Sequence, residues 1–275
     1  MAYVKCLMNV VSSTIPDGKT VTPTDDISIW LACGGRSETY TTLSQVLADS
    51  TCLSALIADS NAVDYLVRST TWASDVCGDS SAMSYIGLNN YASNTLLADS
   101  TWCSAICNST YFESVLNVKV PTMTSNTTPS GVASGSSIYS AGYDYYKAFD
   151  GNDNSAWIMS ASDSNPYLRY AFPSANKCKR VDIKYRVVTS AGYPLSANTL
   201  KIQDSSGTHD FEQFTISATS GETDNSYAKT LLLSNDIDYE GYQLKFSGNA
   251  VSVSSGVLKS SIMIKEIQFY GRADI

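Results

Sequence analysis

A multidomain protein of mixed α and β structure is predicted by three observations. A ten-residue repeat runs over 41–117, β-branched runs flank a Pro-Asp-Gly turn within 1–40, and short alternating apolar runs follow Pro121. The first argues for an array of short helices, and the second for an N-terminal β-containing segment that caps or attaches. The third argues for a C-terminal β-sandwich or jelly roll over 118–275.

The repeat is read by stacking its seven copies: TTLSQVLADS, TCLSALIADS, NAVDYLVRST, TWASDVCGDS, SAMSYIGLNN, YASNTLLADS and TWCSAICNST. Position six is always aliphatic: Val46, Leu56, Leu66, Val76, Ile86, Leu96 and Ile106. Apolar residues also recur at positions two, three and seven, which suits two helical turns with one buried face. One continuous helix fails, because ten residues turn through about 1000° and would rotate the apolar stripe by about 80° per copy. The Asp-Ser-Thr junctions resolve this, since their side chains accept hydrogen bonds from the free N–H groups that open a helix. Short helices joined by tight turns and stacked in a zigzag are therefore expected. A parallel β-helix is the alternative fold, but its coils run longer and alternate with period two. A unit that cannot fold alone reads as a spacer, or else as a docking surface through Trp72, Trp102 or Tyr91.

Within 1–40, the runs 4–11 and 21–33 are separated by Pro16, Asp17 and Gly18, and Gly34 and Gly35 break what precedes them. This is either a small β cap on the array or the part that joins a larger assembly.

Composition bounds the function. Hydrophobic residues reach 43% and charged residues only 16%, enough apolar matter for real cores and too little charge for disorder. Residues 1–117 carry 4 basic and 11 acidic groups (−7), and 118–275 carry 14 and 15 (−1), which sum to the net −8. Phosphate neutralisation drives nucleic-acid binding, so no nucleic-acid partner is expected, and anionic lipid is disfavoured likewise. No apolar run is long enough to insert into a membrane, and the first residues lack the pattern of a secretory signal. Cys52, Cys77, Cys103 and Cys107 stand where other copies hold small apolar residues, so they read as buried hydrophobes from a reducing cytosol. A disulfide framework or a zinc site is the lesser reading.

After Pro121, candidate strands fall at 181–188, 199–203, 211–216, 229–233, 242–246 and 261–270, with glycine turns between them. One stretch carries a more specific pattern. Ala148, Phe149, Asp150, Gly151 and Asn152, followed by Ser155 and Trp157, resemble the A-x-D-G-N-x-x-[TS]-x-W signature of discoidin domains, the coagulation-factor-type C modules. Residues 167–172, 200–207 and 265–271 are similar to three further strands of that family, in the expected order.

The resemblance covers about 120–275 and implies an eight-stranded, galactose-binding-like jelly roll whose loops bind sugars or, in some members, lipid or protein. It implies a structural calcium at Asp150, Asn152, Ser155 and Glu266, chemistry that suits a cation requiring six or more hard oxygens. The alternative is that Asp150-Gly151-Asn152 is a self-bonded turn. Candidate glycan contacts are Tyr143, Tyr145, Asn154, Asp163, Tyr193 and His209. Tyrosine rings can stack on the C–H face of a pyranose while amides and carboxylates bond its hydroxyls. Ordinary surface tyrosines are the alternative, and Trp157 reads as core.

No catalytic residues are expected. His209 is the only histidine, and no G-x-S-x-G, phosphate loop or H-E-x-x-H occurs. The repeat beside a discoidin-like domain resembles structural proteins of tailed bacteriophages, especially those of gut bacteria. That resemblance implies an adhesion, fibre or decoration protein of the virion, assembled in the host bacterial cytoplasm as a homo-oligomer. It would be held to other virion proteins by its N-terminal segment and would bind host or mucus glycans. A purely structural head or tail component and a bacterial surface lectin are the alternatives.

Overall fold

The computed structural model describes residues 43–217, 223–234 and 237–272. The β cap or attachment segment expected over 1–40 lies outside the described residues. The described chain divides into two compact units that part between Asn117 and Val118.

The first unit is helical, and its helices keep the ten-residue step. They are α1 (Leu43–Ala48), α2 (Ser50–Ala58), α3 (Ser60–Leu66), α4 (Ala73–Cys77), α5 (Ser80–Leu88), α6 (Asn90–Ala98) and α7 (Ser100–Asn108). Position nine of each copy sets the starts. Asp79 Oδ1 accepts from the Ala82 N–H at 2.8 Å, Asn89 Oδ1 from Ala92 at 2.9 Å, and Asp99 Oδ1 from Thr101 and Trp102 at 2.9 and 3.0 Å. Each removes one or two of the orphan donors at a helix start. Where position nine is Ser69, no side-chain cap forms, and the chain enters α4 through a 3-10 turn, Thr70–Trp72.

Helices pack on those three copies later: α2 on α5, α3 on α6 and α4 on α7. The helices therefore wind into a coil with three copies per turn, where the sequence suggested a zigzag. The reason lies in the two apolar pairs of each copy, which must bury against both chain neighbours and the next turn. Position nine stitches the turns together. Asn89 Nδ2 donates to Ile57 O at 2.9 Å, and Ser109 Oγ to Cys77 O at 2.5 Å, the same repeat positions three copies apart. Asp99 has no proton to give, and there the Trp102 ring N–H donates to Val67 O at 3.0 Å instead. Trp72 and Trp102 are buried and offer no docking surface, whereas Tyr91 is exposed. Gly87 takes the apolar position seven because a Cβ there would sit 1.7 Å from Ser114 O. Cys77 and Cys107 are buried and Cys103 partly so, and burial pushes the Cys77 thiol up to about 12.

The second unit is an antiparallel β-sandwich. Its strands, after β1 (Leu116–Val118) at the boundary, are β2 (Val132–Gly135), β3 (Tyr167–Asn176), β4 (Cys178–Thr189), β5 (Asn198–Asp204) and β6 (Asp210–Ile216). Then follow β7 (Thr223–Leu232), β8 (Tyr239–Phe246), β9 (Val251–Ser254) and β10 (Val257–Arg272). One sheet runs β10–β4–β7 with β9 folded back on β10, and the other runs β2–β3–β8–β5–β6. The six strands expected from alternation all appear, most of them longer at one or both ends. The four-residue β2 and β9 were too short to show a period.

Between the sheets lie Phe149, Trp157, Tyr170, Tyr242, Phe246 and Phe269, each essentially sealed from solvent. Burying such side chains contributes about 1.5–3 kcal/mol apiece. Trp157 is core, as expected: its ring N–H donates to Ser137 O at 3.0 Å, and its backbone exchanges two hydrogen bonds with Ile264. Just after Ile264 the β10–β4 register slips, because Ile264 pairs with Tyr185 and Glu266 with Lys184, leaving Lys265 as a bulge. Such an extra residue re-aims side chains.

Candidate functional site

Two short 3-10 turns, Ala141–Tyr143 and Tyr145–Ala148, lead into the Asp150-Gly151-Asn152 turn. Asn126 and Asp144 lock them: Asn126 Nδ2 donates to Asp144 Oδ1 at 3.0 Å, and the Tyr145 N–H donates to the same oxygen at 2.7 Å. These turns wall a cleft of about 780 Å³ whose floor is the outer face of β4, β7 and β10. Tyr143 and Asn154 stand on its loop side, and Arg186, Asp224, Met263 and Lys265 on its strand side. The pairing of Arg186 with both Met263 and Ser226 puts one side chain from each strand in register across that floor.

Charge in the cleft is organised by strand alternation. Arg186 grips Asp224 with two hydrogen bonds, Nε to Oδ1 at 2.5 Å and Nη2 to Oδ2, which hold the aspartate below the usual carboxylate range. Lys184, next outward residue on β4, reaches Asp153 at 3.1 Å.

The six glycan candidates do not form one site. Tyr143 and Asn154 share the cleft. Tyr145 is packed against the backbone of Gly135, where a Cβ would lie 2.8 Å from its ring. Asp163 spends its carboxylate on the hydroxyls of Ser136 and Ser137 and the Asn165 N–H, so it is a loop anchor. Tyr193 closes a turn with Ser190, with Lys259 over its ring. His209 sits exposed in the β5–β6 hairpin, where Asp204 accepts from its backbone N–H at 3.0 Å. Loop aromatics in the sequence do not point to Lys147, Arg186, Asp224 and Lys265, which also line the cleft. The available signal was the outward alternation of Lys184 and Arg186 along β4.

The four calcium candidates do come together, apart from Asn152, which contributes through its backbone oxygen. Ser155 Oγ lies 2.7 and 2.8 Å from the two Asp150 oxygens, 2.9 Å from Asn152 O and 3.4 Å from Lys147 O. One hydroxyl has one proton and so satisfies one of these oxygens; the Asn152 N–H donates to Asp150 Oδ1 at 3.0 Å. Beside them, Glu266 is buried, accepts from the Gly151 N–H at 2.9 Å, and takes the Gln268 amide at 2.6 Å. Burial, reinforced by the Asp150 charge, pushes its carboxyl up to about 7. Lys147 Nζ, 3.6 Å from Asp150, is partial compensation. A set of carboxylate, carbonyl and hydroxyl oxygens short of positive charge fits a hard cation. The same bonds also make a self-supporting turn, and among the described residues no cluster holds three or more acidic, histidine or cysteine ligands.

No family model matches the sequence, and none of the curated proteins matches it. Among solved structures, chitosan-binding module 1 of a chitosanase/glucanase from Paenibacillus sp. IK-5 is 18% identical. That match covers 51% of this chain and 95% of that one, with a TM-score of 0.33. The F5/8 type C domain of a Bacteroides fragilis protein is 15% identical over 52% of this chain and 93% of that one, at 0.32. A fucolectin from striped bass (Morone saxatilis) serum is 16% identical over 55% and 48%, at 0.35.

Proposed function

We propose that this chain is a non-catalytic glycan-binding protein of a tailed-phage virion, in which the helical coil is a spacer and the sandwich is the adhesive module. The observation that carries the glycan reading is the cleft under Tyr143. It combines one aromatic side chain with amide, hydroxyl and charged groups over a rigid three-strand floor. That is the composition a pyranose requires, a ring for its C–H face and convergent polar groups for its hydroxyls. The virion setting rests on the phage-like pairing of decapeptide repeat and discoidin-like motif. Homo-oligomers would multiply a weak single site.

In this reading calcium, held by Asp150, Glu266, Ser155 Oγ and the Asn152 carbonyl, supplies charge compensation that stiffens the cleft wall. A glycan array probed with the full chain in calcium tests the function. Binding to a defined set of sugars is expected, with Tyr143→Ala weakening it by about tenfold, the worth of one stacking contact. An array without any bound sugar moves the protein to the purely structural virion role.

A further inference from the structure

The cleft's charges do not balance. Lys147, Arg186 and Lys265 line it against the carboxylates of Asp153 and Asp224, three cations to two anions, in a protein whose net charge is −8. Two of the cations are committed: Arg186 to Asp224 through its whole guanidinium edge, and Lys147 to Asp150 at 3.6 Å. Asp153 is itself taken by Lys184 from outside the lining. Lys265 adds a longer-range attraction to Asp224, already held by Arg186, and makes no ion pair among the described residues.

The backbone is shaped to put it there. The register slip after Ile264 gives β10 one residue more than β4. The consecutive side chains of Lys265 and Glu266 then serve the two sides of one wall: Glu266 is buried beneath Gly151, while Lys265 lines the cleft. Regular pairing would alternate their faces, and bulges of this kind aim side chains at ligands.

We infer that the cleft selects a carboxylate-bearing pyranose, a hexuronate or a sialic acid, with the Lys265 ammonium receiving the carboxylate. Tyr143 then lies against the ring, and Asn154 reaches its hydroxyls. This rests on the glycan reading above and narrows it to acidic sugars. A neutral sugar offers this ammonium hydroxyl acceptors alone, whereas a carboxylate offers charge-assisted hydrogen bonds that offset its desolvation more fully.

The test titrates the full chain by calorimetry with trigalacturonate, its methyl ester, 3′-sialyllactose and lactose. The expected result is binding of one acid or both, weaker with rising sodium chloride, and at least about tenfold weaker for its neutral counterpart. Lys265→Met should lose about tenfold in affinity for the acid with unchanged thermal unfolding, and Lys265→Arg should retain most of it. Neutral sugars binding as well as the acids, or an indifferent Lys265→Met, overturns the charge assignment and leaves the glycan reading standing. Absence of binding by all four, together with a blank array, removes both.

Discussion

In the helical coil, Trp102 is buried and its ring N–H holds Val67 O, 35 residues back; in the sandwich, Trp157 is buried and holds Ser137 O, 20 residues back. The two units share that device and differ in nearly everything else. Cross-turn bonds in the coil recur at a separation of 32 residues, between the same positions of different copies. In the sandwich, bonds such as Gly151 to Glu266 span 115 residues and have no repeat. A coil of that kind adds one increment of stability per copy. The sandwich must close long loops before its contacts form, which makes it the slower and more all-or-none folder.

The largest test of this contrast is Trp102→Ala. It should cost the coil about 3–5 kcal/mol through the cavity and the orphaned Val67 carbonyl. Urea unfolding followed at the helical circular dichroism band would show the loss, with the proposed sugar binding by the sandwich intact at low urea. Parallel loss of both signals would mean that the two units unfold as one.

Next comes Glu266, a property of the sandwich alone. Its folded carboxyl stands near 7 against a reference of 4.5, so the folded state holds the proton more tightly. Stability is then full below about pH 4.5 and declines as pH rises through about 7, by roughly 3 kcal/mol. Asp204 works in the opposite sense: burial would raise its carboxyl, but hydrogen bonds from Ser206, His209 and Thr208 outweigh that and hold it well below the carboxylate range. Its contribution is lost as pH falls. Melting at pH 5 and pH 8 in a chelator should show the Glu266 decline, Glu266→Gln should flatten it, and calcium should offset it at the higher pH. A decline that survives Glu266→Gln sinks the assignment.

The smallest effect is the sharpest probe of the coil. Asn89→Asp keeps the cap on Ala92 but deletes the donor to Ile57 O. About 1 kcal/mol should be lost, read as a lower urea midpoint at constant slope. No change would mean that the turns are held by apolar contacts alone.

Much of this was legible in one dimension, for reasons specific to each part. The helices showed because position six stays aliphatic and position nine stays a capping residue in most copies. Their winding did not, because nothing in one copy tells which other copy it meets. Only the Asn and Ser donors at position nine carry that information, and they read as caps. Strands 181–188 and 261–270 showed through alternation, but the bulge at Lys265 did not, since a slipped register leaves no mark in residue types. The site was legible at Tyr143, Asn154 and the Asp150 turn, which are local in sequence. Two of its three cations, Arg186 and Lys265, came from β4 and β10, joined to the loops only by folding.

Three copies per turn carry a consequence for how such a chain can grow. Inserting or deleting a single decade would swing the end of the coil by about a third of a revolution as well as shifting it along its axis. Changes of thirty residues would alter reach while preserving heading, so length variants that keep the same outlook should differ by whole multiples of three copies.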